Sequence, residues 1–156
     1  MNELSVRDVM THLVVTVRPE DKITDAAKRL LSNRISGAPV VEAGRLVGIV
    51  SEADLVKAFA PPPRSGSFAT PYPLMLLLLR GSPRHEARYS SVADVMTREV
   101  VTIGQDETIW EAASLIDRHG VRRLPVVDEE GYLVGIVARS DLVRCMARSH
   151  EERRAS

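Results

Sequence analysis

Near the start of the chain, SVRDVMTHLVVTV (Ser5 to Val17) is followed 86 positions later by SVADVMTREVVTI (Ser91 to Ile103). Self-similarity at a fixed offset constrains a fold more than any single motif, because each copy must adopt the same local structure. Between residues 5–41 and 91–127, 15 of 37 positions are identical. After one inserted residue, Glu130, GRLVGIVSEADLV (44–56) matches GYLVGIVARSDLV (131–143) at 9 of 13 positions. Copies of this size bury too little surface to be comfortable alone, so the two are expected to share a core.

Each copy carries the same order of elements. The β-branched runs VVTV (14–17) and VVTI (100–103) predict short strands. Apolar residues at helical spacing follow: Ile23, Ala26, Ala27, Leu30 and Leu31 in one copy, and Ile109, Ala112, Ala113, Leu115 and Ile116 in the other. Then come APVV and LVGIV, or LPVV and LVGIV, parted by EAGR (42–45) or DEEGY (128–132), which predicts a β-hairpin. SEADLVKAF (51–59) and ARSDLVRCM (138–146) predict a closing helix. The expected fold class is α/β (α+β): two βαββα repeats packed as a pseudo-two-fold pair. We divide the chain into repeat 1 (1–59), a linker (60–90), repeat 2 (91–148) and a tail (149–156).

The linker begins APPPRSGSFATPYP, rich in Pro, Ser and Gly, and is expected to be mobile over 60–73. LMLLLLR follows and predicts a short ordered helix over 74–79. A membrane span needs about 20 apolar residues, so this run does not make one. No secretory signal opens the chain, and a cytoplasmic, non-membrane protein is expected. Twenty-one basic and 21 acidic residues balance, so no whole-chain footprint for nucleic acid exists. The single cysteine, Cys145, excludes an internal disulfide and cysteine-built zinc sites. The four histidines stand at no metal-binding spacing, and neither a Walker A, a GxGxxG nor a nucleophile-elbow motif occurs. No metal, no covalent cofactor and no catalytic residue are therefore expected.

The ordered set DVMT, VVTV, G-A-P-V-V and GIVSEADL, repeated as DVMT, VVTI, R-R-L-P-V-V and GIVARSDL, resembles a tandem pair of CBS domains, a Bateman module. The resemblance covers residues 5–59 and 91–146. It implies a regulatory, non-catalytic module that binds an adenosine nucleotide (AMP, ADP or ATP), or S-adenosylmethionine or NAD(H), in clefts between the repeats. It also implies a homodimer and an unidentified regulated protein.

Ser51-Glu52-Ala53-Asp54 reads on its own as a capping box, with a Ser N-cap and a carboxylate three places on. By the resemblance, Asp54 holds the ribose hydroxyls and Ser51 contacts phosphate. A carboxylate suits a cis-diol because it accepts two hydrogen bonds. In the second copy Asp141 matches Asp54, but Ala138 stands at the Ser51 position, and Arg139 offers a substitute charged donor or a solvated first-turn side chain. Arg122 and Arg123 read either as solvated arginines at a helix end or, by the resemblance, as phosphate ligands. The resemblance likewise places Val15, Thr16, Val101 and Thr102 against the nucleoside, and Gly37, Ala38 and Pro39 beside the base. The two clefts are expected to be unequal, with Asp54, Ser51, Arg122 and Arg123 forming the better site and Ser36 and Gly37 facing Asp141. An interaction module with vestigial clefts is the competing reading. The closing helices carry apolar residues on more than one face (Leu55, Val56 and Phe59; Leu142, Val143 and Met146), which predicts a homodimer.

Overall fold

A computed structural model of the chain describes residues 4–60 and 89–155. The expectations for the Pro-rich segment and the helix over 74–79 lie outside the described residues. Repeat 1 contains α1 (Val6–Val9), α2 (Ile23–Ser32), β1 (Gly37–Glu42), β2 (Arg45–Ser51) and α3 (Glu52–Phe59). Repeat 2 contains a short 3-10 turn (Val92–Asp94), α4 (Ile109–His119), β3 (Arg123–Val127), β4 (Leu133–Ala138) and α5 (Arg139–Ala155). The final helix is longer than its pattern promised and continues through residues 149–155.

Both hairpins form as the sequence predicts, antiparallel, with Gly37 opposite Ser51 and Arg123 opposite Ala138. The β1–β2 turn is Ala43-Gly44, with φ of +49° and +81°, the left-handed pair that a two-residue hairpin loop requires. The helix α2 buries Ile23, Ala26 and Leu30. Leu31, counted with that face, is exposed. It lies one residue past Leu30, about 100° further round the helix.

The expected first strands are corrected. VVTV and VVTI each reduce to one parallel bridge, Val17 to Val40 and Ile103 to Val126. The Val17 amide donates to the Pro39 carbonyl (3.1 Å), and the Val41 amide donates to the Val17 carbonyl (2.9 Å). The next rung towards the N-terminus needs an N–H at residue 39 or, in the second repeat, at 125. Both are proline, so the ladder stops.

The two repeats exchange their leading segments. Val6 and Met10 are buried among Ile103, Ala112, Leu124 and Val137 of repeat 2. Val92 and Met96 are buried among Val17, Leu30, Val40 and Val50 of repeat 1. Backbone bonds fix the exchange: Thr11 and Ile136 bond reciprocally (2.9 and 3.0 Å), as do Ile49 and Thr97 (both 2.9 Å). Glycines make the close approach possible. A Cβ at Gly48 would stand 2.8 Å from Met96 Sδ and 2.9 Å from the Thr97 carbonyl oxygen. At Gly135 it would stand 2.5 Å from Met10 Sδ and 3.1 Å from the Thr11 carbonyl oxygen. Neither core is complete without a segment of the other repeat, so the pair folds around shared interiors.

Candidate functional site

At the start of α3 the sequence writes its own cap. The Ser51 amide and hydroxyl both donate to Asp54 Oδ2 (2.8 and 2.9 Å), and the Asp54 amide donates back to Ser51 Oγ (3.3 Å). The capping box is therefore formed, and it fixes the Asp54 carboxylate at the head of the helix. Only Oδ2 is used; Oδ1 accepts no hydrogen bond among the described residues. The Glu52 amide donates to the Ser36 carbonyl (3.0 Å), which ties the helix start to the entry of β1.

A cavity of about 500 Å³ opens at this corner. Repeat 1 contributes Ser36, Gly37, Ile49, Val50, Ser51, Glu52, Ala53 and Asp54 to its lining. Repeat 2 contributes Thr97, Glu99, Val100, Val101, Val121, Arg122 and Arg123. Small-molecule sites commonly fall within about 300–1,000 Å³ and combine apolar walls with a few convergent polar groups. Both ingredients are present.

Arg123 reaches from β3 to repeat 1, where its Nη2 donates to Ser36 Oγ. Its Nη1 lies where a side chain at position 37 would begin, so Gly37 leaves the slot that the guanidinium crosses. Burial, then the charge of Arg122, pushes the Arg123 pKa below its usual range, while Glu52 pulls it back up. The guanidinium keeps its charge, since arginine starts far above neutral pH. Arg122 is exposed at the cavity rim and carries no ion pair among the described residues.

The structure thus brings together Asp54, Ser51, Arg122, Arg123 and Val101. Ser36 and Gly37, expected to face Asp141, line this same cavity, because Gly37 pairs with Ser51 across the hairpin. Thr102 is not in the lining. Ala38 and Pro39 are buried in repeat 1 rather than at the cavity wall. Val15 and Thr16 also lie away from it; the Thr16 carbonyl accepts from Arg29 (2.8 Å), and Thr16 borders a separate groove with Arg18 and Glu42.

Asp141 is placed like Asp54 but committed differently. Its Oδ2 accepts from the Ala138 amide (2.7 Å), and its Oδ1 is ion-paired with Arg144. The residue at the Arg144 position in the first repeat is Lys57, which makes no such pair among the described residues. Arg139 donates through Nε to the Val121 carbonyl (3.1 Å) and lines neither the Asp54 cavity nor the groove beside Asp141. Sequence reasoning missed Ile49, Val50, Glu52, Ala53, Thr97, Glu99, Val100 and Val121 as lining residues. No sequence signal marked Thr97, which reaches the cavity with the exchanged segment that packs Met96 on Gly48.

Among the described residues no group of three or more His, Cys, Asp or Glu is placed to hold a metal ion. Among them, too, no helix is long and apolar enough to cross a membrane.

Comparison with known proteins follows the same lines. An uncharacterised protein of Methanocaldococcus jannaschii is 39% identical over 152 residues, covering 90% of each chain. Homoserine O-acetyltransferase of Methanococcoides burtonii is 35% identical over 145 residues, 92% of this chain but 24% of the enzyme. This chain therefore spans about a quarter of that enzyme's length. The solved AMP complex of CBSX2 superposes with a TM-score of 0.72 at 28% identity, covering 94% of this chain and 98% of the other. The CBS pair of a protein in complex with 5'-methylthioadenosine and S-adenosylmethionine gives 0.71 at 26%, covering 95% and 99%. The CBS-domain family model matches residues 6–61 and again 92–148. With two matched repeats, each completing the other's core, the chain belongs to the CBS-domain family as a tandem CBS pair.

Proposed function

We propose that this chain is a regulatory, non-catalytic module whose Asp54 cavity binds an adenosine-containing small molecule. The carrying observation is the cavity lined from both repeats, with Asp54 and Ser51 on one side and Arg122 and Arg123 on the other. Asp54 Oδ1 is available to accept from a ribose hydroxyl, while Oδ2 holds the cap. Arg122 and Arg123 suit a phosphate as charged donors. Ile49, Val50, Val101 and Val121 give the base an aliphatic bed. The AMP and S-adenosylmethionine complexes of structural relatives support the same ligand class.

Because the walls come from two repeats, a ligand that fits one relative placement better than another shifts the balance between them. A regulated protein then reads the change. Thermal or urea unfolding with AMP, ATP, NADH and S-adenosylmethionine tests the reading. A ligand at about 100 times its Kd adds about 2.7 kcal/mol. No stabilisation by any of the four overturns it.

We further propose a cytoplasmic homodimer assembled through α3 and α5. Leu55 and Leu142 turn inward, while Val56, Phe59, Val143 and Met146 remain exposed on the same helices. Light scattering at tens of micromolar is expected to give twice the chain mass; a monomer refutes the dimer.

A further inference from the structure

We propose that Glu99, with Glu52, restricts the Asp54 cavity to adenosine ligands carrying a single phosphate or none. This inference rests on the adenosine reading above and adds selectivity to it. The lining holds three carboxylates, those of Glu52, Asp54 and Glu99, against two guanidiniums, so its formal charge is −1. A polyphosphate site is expected to carry the opposite balance. The start of α3, where the Ala53 amide is the one first-turn N–H with no partner among the described residues, adds little to offset that charge. Glu52 and Asp54 occupy its first turn and already answer the dipole. The amides of both residues are bonded to Ser36 and Ser51.

Of the two arginines, Arg123 already donates to Ser36 and feels Glu52, so its charge is partly answered inside the protein. One phosphate meets Arg122 and the remainder of Arg123. A second or third brings about one more negative charge each to a rim where Glu99 stands exposed. Glu99 has no hydrogen bond or ion pair among the described residues, so no partner neutralises it. The first repeat carries Leu13 at the matching position, so the fold itself does not require a carboxylate there. Like charges roughly 8 Å apart change affinity by about two-fold per pair at the dielectric of bulk water and by about thirty-fold at that typical of a protein surface, and the solvent-facing Glu99 stands toward the lower end.

Calorimetric titration of the full chain with adenosine, AMP, ADP and ATP, free of divalent metal, tests this at low and high salt. AMP is expected to bind about ten-fold more tightly than ATP, with ADP between them. Glu99→Gln, at an exposed position, is expected to narrow the AMP-to-ATP ratio about three-fold, and high salt is expected to narrow it in the wild type. ATP binding as tightly as AMP, or a ratio unmoved by Glu99→Gln, overturns the selectivity while leaving the adenosine reading standing. Failure of all four compounds to bind overturns the selectivity, and the adenosine reading then stands or falls on S-adenosylmethionine and NADH.

Discussion

Gly48→Ala places one methyl group where the two repeats exchange their segments. Its Cβ would lie 2.8 Å from Met96 Sδ and 2.9 Å from the Thr97 carbonyl oxygen. The sulfur sits on a flexible side chain and can move. The carbonyl cannot, because the Thr97 amide and carbonyl both bond Ile49 at 2.9 Å. Overpacking of this kind costs about 1–3 kcal/mol. Stretching the two backbone bonds adds about 0.5–1.5 kcal/mol for each one lost. We expect a destabilisation of about 2–4 kcal/mol, which lowers the urea midpoint by about 1–2 M at an ordinary m-value. Gly104→Ala is the matched control: its Cβ would find Glu107 Cγ at 3.6 Å, an ordinary contact, and a change within about 0.5 kcal/mol is expected. Met96→Ala empties part of the repeat 1 core and by itself costs about 2–5 kcal/mol. Combined with Gly48→Ala it should cost less than the two singles added, since the sulfur clash is gone. If Gly48→Ala is as stable as Gly104→Ala, the exchanged packing is wrong.

Two further outcomes follow from local geometry. Asp8 and Asp94 are held below the usual carboxylate range, first by the Ser5 and Ser91 amides respectively, then by hydroxyls and, for Asp94, the Ser90 amide. A depressed folded-state pKa means the charged form is favoured in the fold. Its contribution is present above the unfolded value of about 3.9 and is lost as pH falls through the lower folded value. The urea midpoint is therefore expected to hold from neutrality to about pH 5 and decline below about pH 4, with a shallower decline in Asp8→Asn and Asp94→Asn; equal acid slopes would contradict this. Ala43→Asn places a residue that tolerates left-handed backbone at φ +49°, and is expected to stabilise by about 0.5–1 kcal/mol in urea unfolding; a loss of stability would contradict the turn assignment.

Local features were legible in the sequence where one short segment determines them. The hairpins followed from alternating apolar runs around glycine-bearing turns, and the α3 cap from Ser51 and Asp54 three places apart. The first strands were over-read, because β-branched composition marks extended chain but says nothing of Pro39 and Pro125 on the neighbouring strand. The exchange of Val6–Met10 and Val92–Met96 between cores was invisible for a similar reason. The sequence shows that each repeat owns a DVM segment, but not which repeat's glycine it packs on. The cavity inherits that difficulty. Asp54 and Arg123 were legible through the family pattern, while Ser36 lies on the Asp54 side because its neighbour Gly37 pairs with Ser51 across the hairpin. Thr97 and Glu99 arrive with the exchanged segment, so only the assembled pair reveals them.

The central claim, one adenosine site built by both repeats around Asp54, is tested most directly by calorimetric titration of AMP into wild type, Asp54→Asn and Asp141→Asn. Asparagine at either position keeps an oxygen for the cap and removes the carboxylate charge. Asp54 has an oxygen to spare, whereas Asp141 has committed both of its own to Ala138 and Arg144. Losing a hydrogen bond to a charged group costs about 1.5–3 kcal/mol, or roughly ten- to a hundred-fold in Kd. We expect that loss in Asp54→Asn and near wild-type affinity in Asp141→Asn. Tight AMP binding that survives Asp54→Asn and disappears in Asp141→Asn would contradict it.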